Sequence, residues 1–286
     1  MELGVHLPLM EFGDEGQSLE RIVRAVDAAR DCGLAAVSAN DHFLFQTPWL
    51  DGPTALAAVM DRSGDMELAT TVALVSLRGP VALAKTLAAL DLLSGGRVVA
   101  GVGPGSSERD YAAVGLSFDD RWPRFEEAVV RLRELLGPDS ELEPRPSRPG
   151  GPPLWLGSWG SAAGLRRVAR LGDGWFASAY NTTPELFEAG RAALPDGFPN
   201  ALVTMWTWIT ESQREADRVL RDVLAPLLKR EPDELAPQVC VGPAERCAEL
   251  LAGYARAGCE RVHLWPLGDE PRQIELAASD VLPAVA

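Results

Sequence analysis

The sequence predicts a parallel (β/α)₈ barrel (an α/β TIM barrel), and three observations carry that reading. Eight short apolar segments, with charge confined to their ends, recur along the 286 residues. Each is followed by Gly, Pro, Ser or Asn and then by a run whose apolar positions have helical spacing. No segment shows a polar face, as expected of strands covered on both sides in a parallel sheet. Strict alternation of strand and helix makes such a sheet. A doubly wound open sheet is the rival, and the count of eight favours the barrel.

Taken in order, residues 2–7 form the first strand, ended by Pro8, and residues 18–30 a helix with Leu19, Ile22, Val23 and Val26 on one stripe. Residues 34–38 are the second strand, leading through Asn40-Asp41-His42-Phe43 and Trp49 to a helix near 53–60. Residues 68–75 read as a third strand without charge. Pro80 then suits the first turn of a helix over 80–93, where its missing N–H costs nothing, and Ser94-Gly95-Gly96 stops it. The fourth strand, 97–101, runs into Gly103-Pro104-Gly105, with a helix at about 119–136. Six prolines between Pro138 and Pro153 make 137–153 an exposed loop. Strands at 153–157, 174–178 and 201–208 are each followed by a helix, at 161–171, 184–193 and 211–229. A helix at 243–257, a strand at 261–265 and a helix near 271–282 complete the pattern.

With 47% hydrophobic residues the chain can bury one large core, and without an obvious linker residues 1–286 are expected to be a single domain. No apolar run reaches the ~20 residues of a membrane span, and the N-terminus lacks signal-peptide features, so the expected location is cytoplasmic. A net charge of −14 argues against nucleic acid or an anionic membrane as partner. A small-molecule substrate is expected instead, with a homodimer as the candidate assembly. Cys32, Cys240, Cys247 and Cys259 form no CxxC pair, so reduced thiols are expected. Three histidines on separate strands, without HxH or HExxH spacing, predict no metal site.

Pro80 to Lys85, Leu90-Asp91-Leu92-Leu93-Ser94-Gly95-Gly96-Arg97, and Gly101-Val102-Gly103 with Gly105 and Ser107-Glu108 closely resemble the signature of luciferase-like flavin-dependent oxidoreductases. That family includes FMN-dependent monooxygenases and enzymes using the deazaflavin coenzyme F420. The resemblance covers nearly the whole chain and implies the same barrel. It implies a flavin-type oxidoreductase, with F420-dependent hydride transfer as the leading expectation. An FMN-dependent monooxygenase and a non-catalytic flavin-binding barrel are the alternatives. A phosphate-binding isomerase or aldolase barrel would want a Lys or Glu at a strand end, and Lys85 falls within a helix.

Active sites of such barrels lie at the C-terminal strand ends, which selects the candidate residues. His42, directly after strand two, is the candidate for proton transfer, the role the resemblance implies. His6 could line the pocket floor, and His263 belongs to the core or pocket wall. At Thr71-Val72 the resemblance implies a bulge with a non-prolyl cis peptide against the flavin ring. Gly101, Val102 and Gly103 would offer backbone groups to the ring's pyrimidine end. The resemblance also implies an acid near Ser106; either Glu108 replaces it or the chemistry differs. Gly157, Ser158 and Trp159, opening a helix, are the candidate phosphate loop, with Ser158 or Ser161 as a plain N-cap the alternative. Arg78, Arg109 and Arg121 are candidates for a groove that takes an anionic tail, and Trp49, Trp155, Trp159 and Trp175 for apolar walls.

Overall fold

A computed structural model describes residues 1–12 and 16–285. Its strands are β1 (Glu2–His6), β2 (Ala36–Ala39), β3 (Glu67–Thr70), β4 (Ala73–Leu74), β5 (Val98–Gly103), β6 (Leu154–Gly157), β7 (Gly174–Ser178), β8 (Asn200–Ile209), β9 (Cys240–Gly242) and β10 (Arg261–Pro266). All pair in parallel in the order β10-β1-β2-β3-β5-β6-β7-β8, and β10 closes the ring on β8. β4 prolongs the third position beyond a break and pairs with β5. β9 lies outside the ring on the end of β8. The (β/α)₈ barrel read from the sequence is therefore the observed fold.

The helices are α1 (Leu19–Asp31), α2 (Gly52–Val59), α3 (Val75–Arg78), α4 (Pro80–Leu93), α5 (Glu108–Ala113), α6 (Arg121–Leu136), α7 (Ala162–Leu171), α8 (Pro184–Ala192), α9 (Gln213–Arg218), α10 (Ala225–Leu228), α11 (Pro232–Leu235), α12 (Ala244–Arg256) and α13 (Glu270–Leu276). Hydroxyls cap five of them: Ser18 accepts from the Arg21 N–H, Ser107 from Asp110, Ser161 from Gly164, Thr183 from Leu186 and Ser212 from Glu215, each satisfying a first-turn donor. On α1, Ile22, Ala25, Val26 and Ala29 are buried, the stripe that a 3.6-residue period lays against the sheet. Inside the ring, Ala69, Val99, Phe176, Ala201 and Val203 pack with Val72 and Trp155, so the barrel is filled.

Several boundaries differ from the sequence expectation. The third strand stops at Thr70 and Val75 already begins α3, because the backbone leaves the ladder between β3 and β4, where the peptide Thr71–Val72 is cis. Residues 211–229 do not form one helix. Pro226 has no N–H to give to residue 222, and the turn Val219–Leu224 widens into a π-helix before α10. The helices α5 and α11 and the strand β9 were not anticipated; each is short, below the length at which periodicity is readable. Residues 137–153 carry no regular element.

The family-like signature on α4 is an anchor for the barrel's N-terminal end. Asp91, fully buried, accepts from the Arg148 backbone N–H (3.2 Å), Nε (3.2 Å) and Nη2 (2.8 Å), tying the proline-rich loop to the helix. Arg97 donates to the Ser94, Met66 and Met60 carbonyls and to the Ser63 hydroxyl. Arg261 pairs with Glu2 and Glu67. Gly101 is fixed by packing: a Cβ there would stand 2.0 Å from the Thr70 carbonyl oxygen and 2.5 Å from the Phe176 ring. Gly101→Ala is expected to lower stability by roughly 2 kcal/mol or more, the scale of forced overpacking, read as a lower urea midpoint at unchanged m-value.

Candidate active site

A cavity of about 440 Å³ opens at the C-terminal strand ends. Its floor is built around Val72. A Cβ on Gly103 would lie 2.6 Å from Val72 Cγ2, and one on Gly157 would lie 3.1 Å from Val72 Cγ1. Both glycines therefore make room for the valine that the irregular third strand pushes into the barrel mouth. Gly157→Val would accordingly crowd Val72 as well as any ligand.

Of the candidate residues, His42, Thr71, Val72, Gly103, Ser106, Gly157, Ser158 and Trp159 line this one cavity. Three do not. Gly101 lies below the floor between Thr70 and Phe176, and Val102 turns into the core outside the ring, because alternate residues of a strand face opposite ways. Glu108 is exposed in the first turn of α5 and away from the lining.

The acid that reaches the site from that turn is Asp110. With Ser107 as N-cap, Asp110 is the third helical residue and is carried inward, 1% exposed, while Glu108 points out. One Asp110 carboxylate oxygen lies 2.7 Å from His42 Nδ1 and the other accepts the Leu44 N–H at 2.7 Å. Burial alone would raise the Asp110 pKa. The hydrogen bonds from His42 and from the Leu44 and Phe43 backbone outweigh it, and the carboxyl titrates below its ordinary value. An ionised carboxylate only accepts, so Nδ1 carries the hydrogen. Nε2 is the other nitrogen of a cavity-lining ring and has no protein partner among the described residues. Phe45 and Trp49, each with its ring centre 4.8 Å from that of His42, hold the imidazole in place.

Asp41, the neighbour of His42, has a different task. It is 3% exposed and accepts from Arg78 Nε (2.6 Å), Arg78 Nη2 (2.7 Å) and the Leu74 N–H (3.1 Å). Arg78 also pairs with Asp51. This clamp ties the loop after β2 to β4 and α3, and it uses up the arginine considered for an anionic tail.

His6 is fully buried beneath the site. Its Nδ1 donates to the Leu7 carbonyl (2.7 Å) and its Nε2 accepts the Asn40 N–H (3.0 Å). The ring stacks on Trp265 with centres 3.6 Å apart. Desolvation lowers its pKa to about 3, so it remains a neutral strut. His263 lies in the barrel interior, and burial holds its pKa well below normal. Trp175 and Trp155 are packing residues, against Phe187 and Phe176. Among the described residues no group of three or more His, Cys, Asp or Glu side chains could hold a metal ion.

Opposite ends of the cavity differ in character. Beside α7, Arg121, Trp122, Ser158, Trp159, Ser161 and Arg167 gather. Ser161 caps α7, Arg167 pairs with Glu126 and lies over Trp122, and Arg121 lies over Phe118 and donates to its carbonyl. No carboxylate neutralises Arg121 among the described residues, so its charge, with the α7 N-terminus, favours an anion there. Arg109 is exposed and does not line the cavity. Along β7 and β8 the wall is Phe176, Ser178, Tyr180, Val203 and Thr204. Thr204 has φ 60° at an irregularity in β8, and its hydroxyl donates to the Val203 carbonyl (2.6 Å) and meets Ser178 Oγ at 3.1 Å. A β-branched residue in the left-handed region is a strained conformation that packing has to enforce. Sequence reading missed this wall. Ser178 and Tyr180 follow a strand directly and were within reach of the barrel rule, whereas Thr204 is inside a strand and only the bulge turns it inward.

Fold and site together define a (β/α)₈ barrel with one ligand cavity at its C-terminal face. The chain belongs to the family of luciferase-like monooxygenases, whose description matches residues 1–261. It is 30% identical over 207 residues to an F420-dependent glucose-6-phosphate dehydrogenase from Amycolatopsis mediterranei, covering 63% of this chain and 58% of that protein. The match thus spans little more than half the length of that relative. Among solved structures it resembles monooxygenase RslO1 from Streptomyces bottropensis (TM-score 0.83, 20% identity, 100% of both chains). It also resembles an F420-dependent secondary alcohol dehydrogenase in complex with an F420-acetone adduct (TM-score 0.81, 18% identity, 100% of this chain and 99% of that one). No helix among the described residues is long and apolar enough to cross a membrane.

Because the folded-state pKa of Asp110 is depressed, its contribution to stability is complete above the unfolded-state pKa and disappears as pH falls through the folded value. Asp110→Asn is expected to lose stability at pH 7 relative to the wild type and to show a shallower decline on acidification. Urea midpoints measured at pH 7 and in the acid range check both.

Proposed function

We propose that this protein is a coenzyme F420-dependent oxidoreductase that moves a hydride to or from a small organic substrate. The observation that carries the reading is the pairing, in one cavity, of an anion-favouring end at α7 with a carboxylate-held imidazole at His42. The names of the curated relatives, F420-dependent dehydrogenases, support the deazaflavin over FMN.

The residues present fit such a group. Asn40 Oδ1 and Thr71 Oγ1 are buried polar atoms of lining residues that have no partner within the protein, and such atoms are costly unless a ligand or water completes them. Gly103, Gly157 and the Val72 side chain give a floor without protruding polar groups. In this reading Thr71, Val72, Gly103 and Ser106 receive the ring system. Gly157, Ser158, Trp159 and the first turn of α7 hold the phosphate, with Arg121 and Arg167 screening its charge. Bound there, the cofactor supplies hydride chemistry; the protein supplies placement and a proton path. His42 Nε2 takes up the proton leaving a substrate hydroxyl, or returns one to a carbonyl oxygen. Asp110 keeps the ring in the tautomer that leaves Nε2 free and stabilises the imidazolium that forms.

Parallel absorbance and fluorescence titrations with F420 and FMN test the reading. Binding of F420 at micromolar concentrations is expected, and binding of neither compound sinks it. Arg121→Ala is expected to weaken cofactor binding roughly tenfold, equivalent to about 1.4 kcal/mol. His42→Ala should lower turnover by roughly 10²-fold or more with little change in cofactor affinity. Stopped-flow single turnover on the titrated protein separates that result from mere ring positioning, for which binding would weaken and saturated turnover recover. Activity surviving exhaustive chelation is expected as well.

A further inference from the structure

We infer that the substrate of this site is a small uncharged molecule with an apolar body and a hydroxyl or carbonyl oxygen, and that phosphorylated or carboxylated substrates are excluded. The inference rests on the oxidoreductase reading above and concerns what remains of the cavity once a cofactor occupies its α7 end.

The charged side chains lining the cavity are few: Asp41, Arg121 and Arg167, with His42 titratable. Both arginines stand on α6 and α7 beside the loop after β6, the end assigned to the cofactor's own phosphate. Elsewhere cations near the site are already committed. Arg78 is held by Asp41 and Asp51. Arg230 donates to the Tyr180 carbonyl (2.5 Å) and to the Asn181 side chain, lies over the Tyr180 ring, and does not line the cavity. Of the two lysines in the chain, Lys85 donates to the Glu143 carbonyl, and Lys229 ends α10 outside the lining.

What faces the remaining space is neutral. Phe176 and Val203 give apolar surface, while Ser178 and Thr204 give hydrogen-bonding groups without charge. Burial raises the Tyr180 pKa, keeping the phenol protonated. Beside His42 the Asp110 carboxylate touches the ring, while Asp41, one residue away, is already neutralised by Arg78. An anionic substrate would give up its hydration for a wall with no free cation among the described residues to receive it, next to the Asp110 carboxylate, which selects against it. A neutral alcohol or ketone gives up little, and its oxygen finds hydroxyls and the imidazole. The cavity volume, toward the small end of the ~300–1,000 Å³ usual for ligand pockets, has to serve cofactor and substrate together, so the substrate is small.

The test uses the full chain loaded with reduced F420 for a matched pair of ketones differing only in charge, cyclohexanone and 4-oxocyclohexanecarboxylate, and with oxidised F420 for glucose 6-phosphate, a hydride donor, as a third probe. Calorimetric titration and turnover are read on each. Cyclohexanone is expected to bind and react at least tenfold better than the carboxylate, with glucose 6-phosphate weaker still. Equal or better binding of the carboxylate or of glucose 6-phosphate, or binding of none of the three, overturns the inference. The cofactor titration is read first: a protein that binds neither F420 nor FMN removes the oxidoreductase reading itself, whereas one that binds a cofactor and prefers the anion removes only the substrate class.

Discussion

Closure of the parallel ladder is the constraint on which the rest of the structure depends. β10 pairs with β1 on one side and β8 on the other, so no strand of the ring keeps an open edge and all eight strand ends are brought to one rim. Residues separated by most of the chain, such as His42 and Thr204, share a cavity for that reason alone. The ring also sets a cost: a side chain entering the mouth from one strand has to find space on its neighbours. Val72 does so, and Gly103 on β5 and Gly157 on β6 are the two positions where that space is made.

Electrostatics divide the rim that closure creates. Most of its charge is internally compensated, by Arg78 between Asp41 and Asp51 and by Arg167 on Glu126. Two features stand apart from that compensation among the described residues: Arg121 without a carboxylate, and Asp110, whose titratable partner is the imidazole of His42. On a chain of net charge −14, an unneutralised arginine beside a helix N-terminus forms a local anion site that the overall charge does not foreshadow. In the proposed function, the separation of Arg121 and the α7 N-terminus from His42 and Asp110 would let one cofactor reach both while leaving the neutral β7–β8 wall free.

Stability and chemistry are kept at opposite ends of the barrel. The N-terminal rim is held by Asp91 with Arg148, by Arg97 on three carbonyls and by Arg261 on two glutamates. Asp91 is fully buried, so removal of Arg148 would leave an uncompensated charge there, which is severe. The C-terminal rim carries the strained Thr204, the cis peptide at Thr71–Val72 and unpartnered polar atoms on Asn40 and Thr71.

The sequence by itself determined the fold class, because periodicity and buried parallel strands are local properties of the chain, and it placed eight of its candidate residues on one cavity through the rule that barrel sites follow the strands. Of the block that carries the resemblance, Asp91 to Gly105, the first half to Arg97 ties the scaffold together and Gly103 to Gly105 line the cavity. What only the tertiary structure decided is which side chains face inward. Asp110 rather than Glu108 meets His42 because the N-cap at Ser107 sets the rotation of a six-residue helix. Val102 turns away because the fourth strand continues to Gly103 and keeps its alternation. Thr204 turns in because β8 slips its register against β10. Each outcome depends on a phase or a register, and those are fixed by contacts between elements far apart in the chain.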